Sequence, residues 1–484
     1  MLLSELAKGI GQVVGVDVEV RDVQHDSREV GPGDLYCAIV GRVHDGHGFI
    51  REALAAGAAA VCVSRSTEVP PGVPTVLVDD TRDALGLLAA RVHGEPTRSL
   101  RIIGVTGTNG KTTTTYLLRH ILRRAGRKVD LIGTVEQTIG GHAEKAHRTT
   151  PEATDLQRWF RRMLELGTQD VVMEVSSHAL DMGRVHGVEF AGAVFTNLTQ
   201  DHLDYHVTFD RYLAAKLKLF AMIPPSGFGV VNVDDPAATA FTRQLRGRPI
   251  RFGVTEPADL SARGVELRAE GSRFTLATSQ AEVPVDLPIA GLYNVQNALA
   301  AAAAALGAGL GLEDIAAALE DAPAPPGRFE RVDRGQPFSV IVDYAHTPDG
   351  IAKLLGAVRA ITPGRVFIVF GCGGDRDRGK RPQMGALAAT MADQIFLTTD
   401  NPRSEDPAVI TEQIESGIKE LGKRNFVREL DRRRAIRLAM HAAKPGDAVV
   451  IAGKGHEDYQ LLGDVVEHFS DREEAAAALE ELLR

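Results

Sequence analysis

Residues 102–118 read IIGVTGTNGKTTTTYLL, and the residue types and spacing there point to phosphate chemistry. Ile102-Ile103-Gly104-Val105 reads as a buried strand. The turn Thr106-Gly107-Thr108-Asn109-Gly110 follows, and Lys111, Thr112 and Thr113 open a segment that can be helical. A strand, a tight turn and a helix N-terminus aim several backbone N–H groups at one point, where the helix dipole adds positive potential. Lys111 would reach terminal phosphates and the Thr112 hydroxyl could ligate Mg²⁺. In the common P-loop, GxxxxGK[ST], the first glycine would fall at position 105, which here is Val105. A plain strand-to-helix turn would explain the glycines but not the lysine and threonine after them.

Other residues could complete such a site. Glu174 ends an apolar run, 170–174, where a carboxylate is costly unless it meets a cation. It reads either as a Mg²⁺ ligand or as an exposed strand-end glutamate. The segment 195–206, FTNLTQDHLDYH, gathers polar groups after a strand. His202 follows closely enough to reach a metal, whereas His206 reads as a structural hydrogen-bonder. Lys216 would ordinarily be a solvated helix charge. Pointed at a cation it would repel it, unless CO₂ carbamylated the amine and reversed the sign. Residues 291–297, with Asn294, and 326–330, with Arg328, suit nucleotide contacts. Arg328 reads alternatively as a surface arginine.

The elements that must position these residues are α/β throughout. The chain has 484 residues, more than one core usually organises. Three units are expected: 1–98, 99–327 and 328–484. The first mixes short apolar runs (59–63, 75–78) with helical stretches. The second carries strand runs at 102–105, 170–174 and 193–197, alternating with helices as in a parallel, doubly wound sheet. The stretch 298–312 reads as a packed helix, too short for a membrane span. A Pro-rich segment, 322–327, precedes the third unit. That unit has strand runs at 338–343, 366–370, 394–398 and 448–452, a Rossmann-like pattern. Polar clusters follow those runs, where ligands of such sheets bind. A net charge of −9 argues against nucleic-acid or membrane-surface partners. Three scattered cysteines and no signal-like N-terminus suit a reducing cytoplasm.

The order of TGTNGKT, EVSSH, TNLTQDHLDYH, AAK, GLYNVQNALAA, PGRFE and VDYAHTPD resembles the Mur ligase family over nearly the whole chain. The resemblance implies an N-terminal UDP-binding unit, a central ATPase unit and a C-terminal Rossmann-like amino-acid unit. It implies a cytoplasmic monomer that extends UDP-N-acetylmuramoyl-L-alanyl-D-glutamate for peptidoglycan. By resemblance, Asp26-Ser27-Arg28 serves the uridine nucleotide. Residues 147–152, with Thr149 and Thr150, together with Ser176 and Arg184, serve the acyl substrate. Met182 stands where some members carry glutamine. Asp400-Asn401-Pro402-Arg403 resembles the signature of members that take meso-diaminopimelate. Arg403 can fork onto its distal carboxylate, Glu457, after Gly453, can pair with its ammonium, and Arg376 can help hold a carboxylate.

The implied reaction runs through an acyl phosphate formed from ATP and the D-glutamate γ-carboxylate, which the amine then attacks. Gly107, Thr108, Asn109, Gly110, Lys111, Thr112, Thr113, Asn294, Arg328 and Asp343 would hold ATP. Thr112 and Glu174 would hold one Mg²⁺; His202 and carbamylated Lys216 would hold a second. The rivals are a lysine-adding member of the family, folylpolyglutamate synthetase and a P-loop switch protein.

Overall fold

The computed structural model describes residues 1–41, 44–65, 69–146, 148–255 and 257–483. Three large sheets divide the chain, and a two-stranded hairpin, Tyr459–Leu462 with Val465–His468, stands apart from them. The first runs in the order Gln12–Val14, Thr75–Leu77, Ala60–Val63, Leu35–Cys37, Val23–Gln24 and is parallel except at the Gln12–Val14 edge. Its core packs Leu3, Leu6, Val23 and Leu35 against Leu85 and Leu88 of the helix Thr81–Val92.

The second sheet has eleven strands. Arg101–Thr106 lies between Asp170–Glu174 and Phe190–Phe195, parallel to both. Its side chains alternate between two cores: Ile103 and Val105 join one, Ile102 the other. Burial on both faces is why this strand reads as continuous apolar sequence. The antiparallel hairpin Glu136–Ile139/His142–Lys145 finishes one edge, and Ser272–Ala277 with Glu282–Leu287 finishes the other. The hairpins lack long apolar runs, so the sequence alone did not reveal them.

The apolar segment after residue 297 is a packed helix only in part. The helix Leu292–Gly307 buries its alanines against Leu117, Leu118 and Ile121 of the helix Lys111–Arg124. It then stops. Gly309 takes φ +90°, and a second helix, Leu312–Glu320, begins. No helix among the described residues is long and apolar enough to cross a membrane.

The third sheet runs Glu330–Arg331, Ser339–Asp343, Ala448–Ala452, Val366–Phe370, Gln394–Leu397, Phe426–Arg428, all parallel except at the first strand. The four inner strands are the expected ones; the short outer strands carry too few apolar residues to stand out. The C-terminal ends of the inner strands lie side by side. There the Gly453 N–H donates to the Asp343 carbonyl at 3.1 Å, and the Thr398 N–H to the Phe370 carbonyl at 3.0 Å.

Candidate active site

Two glycines shape the loop after Arg101–Thr106. Gly107 has φ +151° and Gly110 +86°. A β-carbon at Gly107 would fall 1.9 Å from Thr196 Oγ1, and one at Gly110 would fall 2.2 Å from Asn297 Oδ1. The loop is pinned from the neighbouring strand end: the Thr108 N–H donates to the Asn197 carbonyl (2.9 Å) and the Asn109 N–H to Asn197 Oδ1 (3.0 Å). Thr196 Oγ1 donates to the Asn109 carbonyl at 2.6 Å. The first bond onto Gly110 comes from the Thr114 N–H at 2.9 Å. The N–H groups of Lys111, Thr112 and Thr113 precede it and have no acceptor within the helix. All three residues line a cleft of about 230 Å³. Gly110→Ala is expected to weaken ATP binding about tenfold or more, from the ~1–2 kcal/mol cost of a left-handed non-glycine residue plus the overlap with Asn297. An unchanged ATP affinity by calorimetry would contradict this reading of the loop.

Glu174 is not an exposed strand end; it is 1% exposed. Its Oε2 accepts from Thr112 Oγ1 (3.1 Å) and Thr134 Oγ1 (3.0 Å), and its Oε1 from the Thr134 N–H (2.8 Å). A buried carboxylate among hydroxyls supplies the hard oxygen donors that suit Mg²⁺. Lys111 Nζ donates to the Gly107 and Thr108 carbonyls, both at 2.9 Å. Lys216 is not a solvated helix charge either. It is 1% exposed, and its Nζ donates to the same Gly107 carbonyl at 2.7 Å. Burial drives its ammonium well below the usual lysine range, and Lys111 pushes the same way. A neutral buried amine is the form that takes up CO₂.

His202 lines the cleft, with φ +54° and Nε2 3.4 Å from Asp201 Oδ2. Burial pushes its imidazole down to about 3, against the pull of Asp201, and both Lys111 and Lys216 add to the depression. His206 is buried, with Nε2 3.0 Å from Ser177 Oγ, a structural role. Among the described residues no three His, Cys, Asp or Glu side chains converge as a ligand set. A metal beside Glu174 would therefore lean on Thr112, Glu174 and phosphate oxygens, and one beside His202 would need a carbamate on Lys216.

The third unit closes the cleft. Arg328 is half-buried rather than a surface arginine. Its guanidinium lies 4.3 Å from the centre of the Tyr344 ring and donates to Thr112 Oγ1 at 3.2 Å. Asp343 accepts from the Phe329 N–H (2.7 Å) and the Ala345 N–H (2.8 Å), and burial raises its carboxyl above the usual range. Asn294 does not line the cleft: its Nδ2 donates to the Ala290 carbonyl at 2.8 Å, and Tyr293, Gln296 and Asn297 line it instead. Asn294 Oδ1 accepts from Asn297 Nδ2 at 3.2 Å, so Asn294 backs the lining residue one turn on.

Beyond the third sheet's strand ends, a second cluster assembles. Asn401 Nδ2 donates to Glu457 Oε2 at 2.9 Å. Lys454, fully buried, sends its Nζ to Asn401 Oδ1 and Glu457 Oε2, both at 3.2 Å, and lies 3.9 Å from Asp400. Burial raises the Glu457 carboxyl, with Lys454 opposing. Arg403 has φ +53° and donates to the Gly374 carbonyl at 2.9 Å; Pro402 before it is buried. Arg376 is exposed, yet its Cγ and Arg403 Nη1 both lie within 4 Å of a β-carbon built on Gly373. Gly453, at φ +113°, has no side chain to displace Asp400, whose Oδ2 would sit 2.8 Å from a β-carbon.

The residues expected to serve an acyl substrate lie in the cleft or beside it. Thr149 and Ser176 line the cleft, and Thr150 is buried, donating to the Glu174 carbonyl at 2.9 Å. Arg184 meets Glu152 (2.9 Å) and donates to the Thr150 carbonyl (3.1 Å) and the Met182 sulfur (3.5 Å). His147 lies outside the described residues. Ser27, buried in the first unit, is separate from the cleft. Its neighbours His25, Asp26 and Glu29 face Arg148, Glu152 and Trp159 across a second cavity of about 200 Å³.

Sequence reading missed Lys454, because a lysine between glycines gives no sign of burial. It also missed Asp349, whose Oδ2 accepts from Asn109 Nδ2 at 2.8 Å across two units. An acidic residue opening a helix looks like a dipole partner and nothing more.

Three family models match: "Mur ligase family, catalytic domain" over residues 19–93, "Mur ligase middle domain" over 105–305 and "Mur ligase, glutamate ligase domain" over 327–455. The UDP-N-acetylmuramoyl-L-alanyl-D-glutamate–2,6-diaminopimelate ligase of Geobacillus kaustophilus (strain HTA426) is 47% identical over 474 residues, 96% of each chain. The ligase of that name from Syntrophomonas wolfei is 45% identical over 99% of each. A solved structure of a ligase of that name superposes with a TM-score of 0.72 at 31% identity, covering 100% of this chain and 99% of that one. With its phosphate loop, its buried Glu174 and Lys216 and its third-unit cluster in one order along the sequence, the chain belongs to the Mur ligase family.

Proposed function

We propose that this chain is an ATP-dependent ligase that joins 2,6-diaminopimelate, in its meso form, to the D-glutamate γ-carboxylate of UDP-N-acetylmuramoyl-L-alanyl-D-glutamate, serving peptidoglycan synthesis. One observation carries the reading: Arg328 of the third unit bonds Thr112 of the phosphate loop, so the amino-acid cluster and the phosphate cleft share one junction. The relatives' names supply the two substrates. We assign residues 1–98 to the UDP-sugar unit, 99–327 to the ATP unit and 328–484 to the amino-acid unit, working as a monomer in the cytoplasm.

ATP lies with its phosphates on the N–H groups of residues 110–113. Lys111 neutralises the transferring phosphoryl group, and Arg328 and Asp343 hold the nucleotide from the third unit. Thr112 and Glu174 would hold Mg²⁺; His202 and a carbamate on Lys216 would hold a second ion. Mg²⁺ supplies charge neutralisation at the phosphates when bound. Ser27 contacts the uridine nucleotide; Thr149, Thr150, Ser176 and Arg184 set the dipeptide arm. The γ-carboxylate attacks the γ-phosphorus, ADP leaves, and the amine displaces phosphate from the resulting acyl phosphate. Arg403, Asn401 and Glu457, with Arg376, read the distal carboxylate and ammonium of the amino acid. Closure of the third unit excludes water from the intermediate.

Oxygen-18 in the γ-carboxylate tests this chemistry. One labelled oxygen should appear in the released phosphate, as seen by mass spectrometry. Label-free phosphate would rule out the acyl phosphate.

A further inference from the structure

Lys454 has no role in the reading above, yet it lies at the centre of the third-unit cluster. Gly453 and Gly455 flank it with φ +113° and +54°, a sharp turn after the strand Ala448–Ala452 that carries the lysine inward. Its Nζ donates to Asn401 Oδ1 and Glu457 Oε2, and Asn401 Nδ2 donates to the same Oε2, so three side chains close a triangle. The Leu461 N–H also donates to Asn401 Oδ1, at 3.0 Å. Two donors on that oxygen fix the amide's orientation and leave its nitrogen for Glu457. The bonds that reach Glu457 from this triangle fall on Oε2, and none uses Oε1.

The Lys454 side chain is 0% exposed and that of Glu457 is 16% exposed, so a ligand can reach the carboxylate but not the ammonium behind it. A buried ion pair adds little net stability over apolar side chains of the same size, so stability does not account for this one. Other groups near Glu457 do not replace Lys454. Asp400 adds negative charge, and Arg432, opening the helix Arg432–Ala442, is matched by Asp471 at 2.7 Å. Burial holds the Tyr344 and Tyr459 phenols above their usual range, so both are neutral. In the same loop His456 is held neutral by burial, and Asp458 is paired with Lys145.

Resting on the ligase reading, we propose that Lys454 is a positioning residue for the amino acid: its ammonium balances the Glu457 carboxylate and fixes the Asn401 amide, so that Glu457 meets the distal ammonium of diaminopimelate with a full negative charge. Lys454 acts through Glu457 and does not touch the substrate. Burial raises the Glu457 carboxyl and Asp400 adds to this, while the charge and hydrogen bond of Lys454 oppose it. Without Lys454 the carboxyl rises further. Below that higher value Glu457 is protonated and neutral, so KM for diaminopimelate falls as pH climbs through it.

The full-length enzyme, its Lys454→Met and its Lys454→Gln are assayed for amide formation at about pH 6.5 and about pH 8.5. The amino acid is diaminopimelate or 2-aminopimelate, which keeps the reacting amine and the distal carboxylate but lacks the distal ammonium. Lys454→Gln keeps a hydrogen-bond donor without the charge and serves where the apolar variant fails to fold. Each variant's KM is divided by that of the unaltered enzyme at the same pH, which cancels the substrate's own titration. For diaminopimelate the ratio should be about tenfold at the lower pH and less than about twofold at the higher, since each pH unit below the carboxyl's value removes a factor of about ten in its ionised form. For 2-aminopimelate and for ATP it should stay within about twofold at both. Glu457→Gln, uncharged throughout, should keep the diaminopimelate rise at both. A rise that ignores pH in the Lys454 variants, a matching rise with 2-aminopimelate, or no rise at all would overturn the assignment. If the unaltered enzyme formed no amide with diaminopimelate, the ligase reading would fail, and this proposal with it.

Discussion

Lys216→Ala should lower turnover by about two to three orders of magnitude while leaving the protein folded. The side chain is buried behind the phosphate loop, donating to the Gly107 carbonyl, and burial with Lys111 pushes its amine well below the usual lysine range, towards the neutral form. As a bare amine it offers the site nothing anionic; as a carbamate it offers two oxygens. Lys216→Glu should therefore recover part of the lost rate, and added bicarbonate should raise that of the unaltered enzyme. Steady-state phosphate release measures each case, and full activity in Lys216→Ala would sink the carbamate.

The same lysine has a stability signature. Its folded-state value lies below the ordinary 10.5. Between the two values the unfolded chain binds the extra proton, so stability rises with pH through that window. The cost of burying Lys216 is thus largest below the folded value. It fades as pH climbs toward 10.5. Lys216→Met, apolar and similar in length, should melt higher than the unmodified enzyme near neutral pH, with the gap narrowing in alkali. A site that keeps such a group stores instability for function.

Arg403→Ala is the second large effect. A guanidinium forked onto a carboxylate contributes up to ~3 kcal/mol, about 100-fold in affinity. KM for diaminopimelate should rise by about that factor, and KM for ATP by no more than about twofold. Arg403→Lys keeps the charge but loses the fork and should fall between. Equal rises in both constants would mean that Arg403 supports the fold and not the pocket. Its left-handed backbone at φ +53° is strain of the kind found at binding sites.

Much of this was legible before any coordinates. The loop 106–113 announced itself because strand, glycines and Lys-Thr each obey a local rule, and the inner strands of the third sheet were plain apolar runs. The edge hairpins were not, since half-exposed strands carry no such run. Distance in space was the other gap. Nothing in the spacing of Glu174 says that Thr112 and Thr134 both bond it, or that Lys216 is buried where a helix lysine is ordinarily solvated. Spacing also does not say that Asn294 meets the cleft through its neighbour, its Oδ1 accepting from the lining Asn297 while its own amide bonds the Ala290 carbonyl.

The most direct test of the whole account is product mass. The enzyme is incubated with ATP, Mg²⁺ and UDP-N-acetylmuramoyl-L-alanyl-D-glutamate, plus either meso-diaminopimelate or L-lysine, and phosphate release is followed alongside. The account predicts stoichiometric phosphate and a product heavier by one diaminopimelate residue, with lysine far slower. Equal or preferred use of lysine, or no product with either, would contradict it.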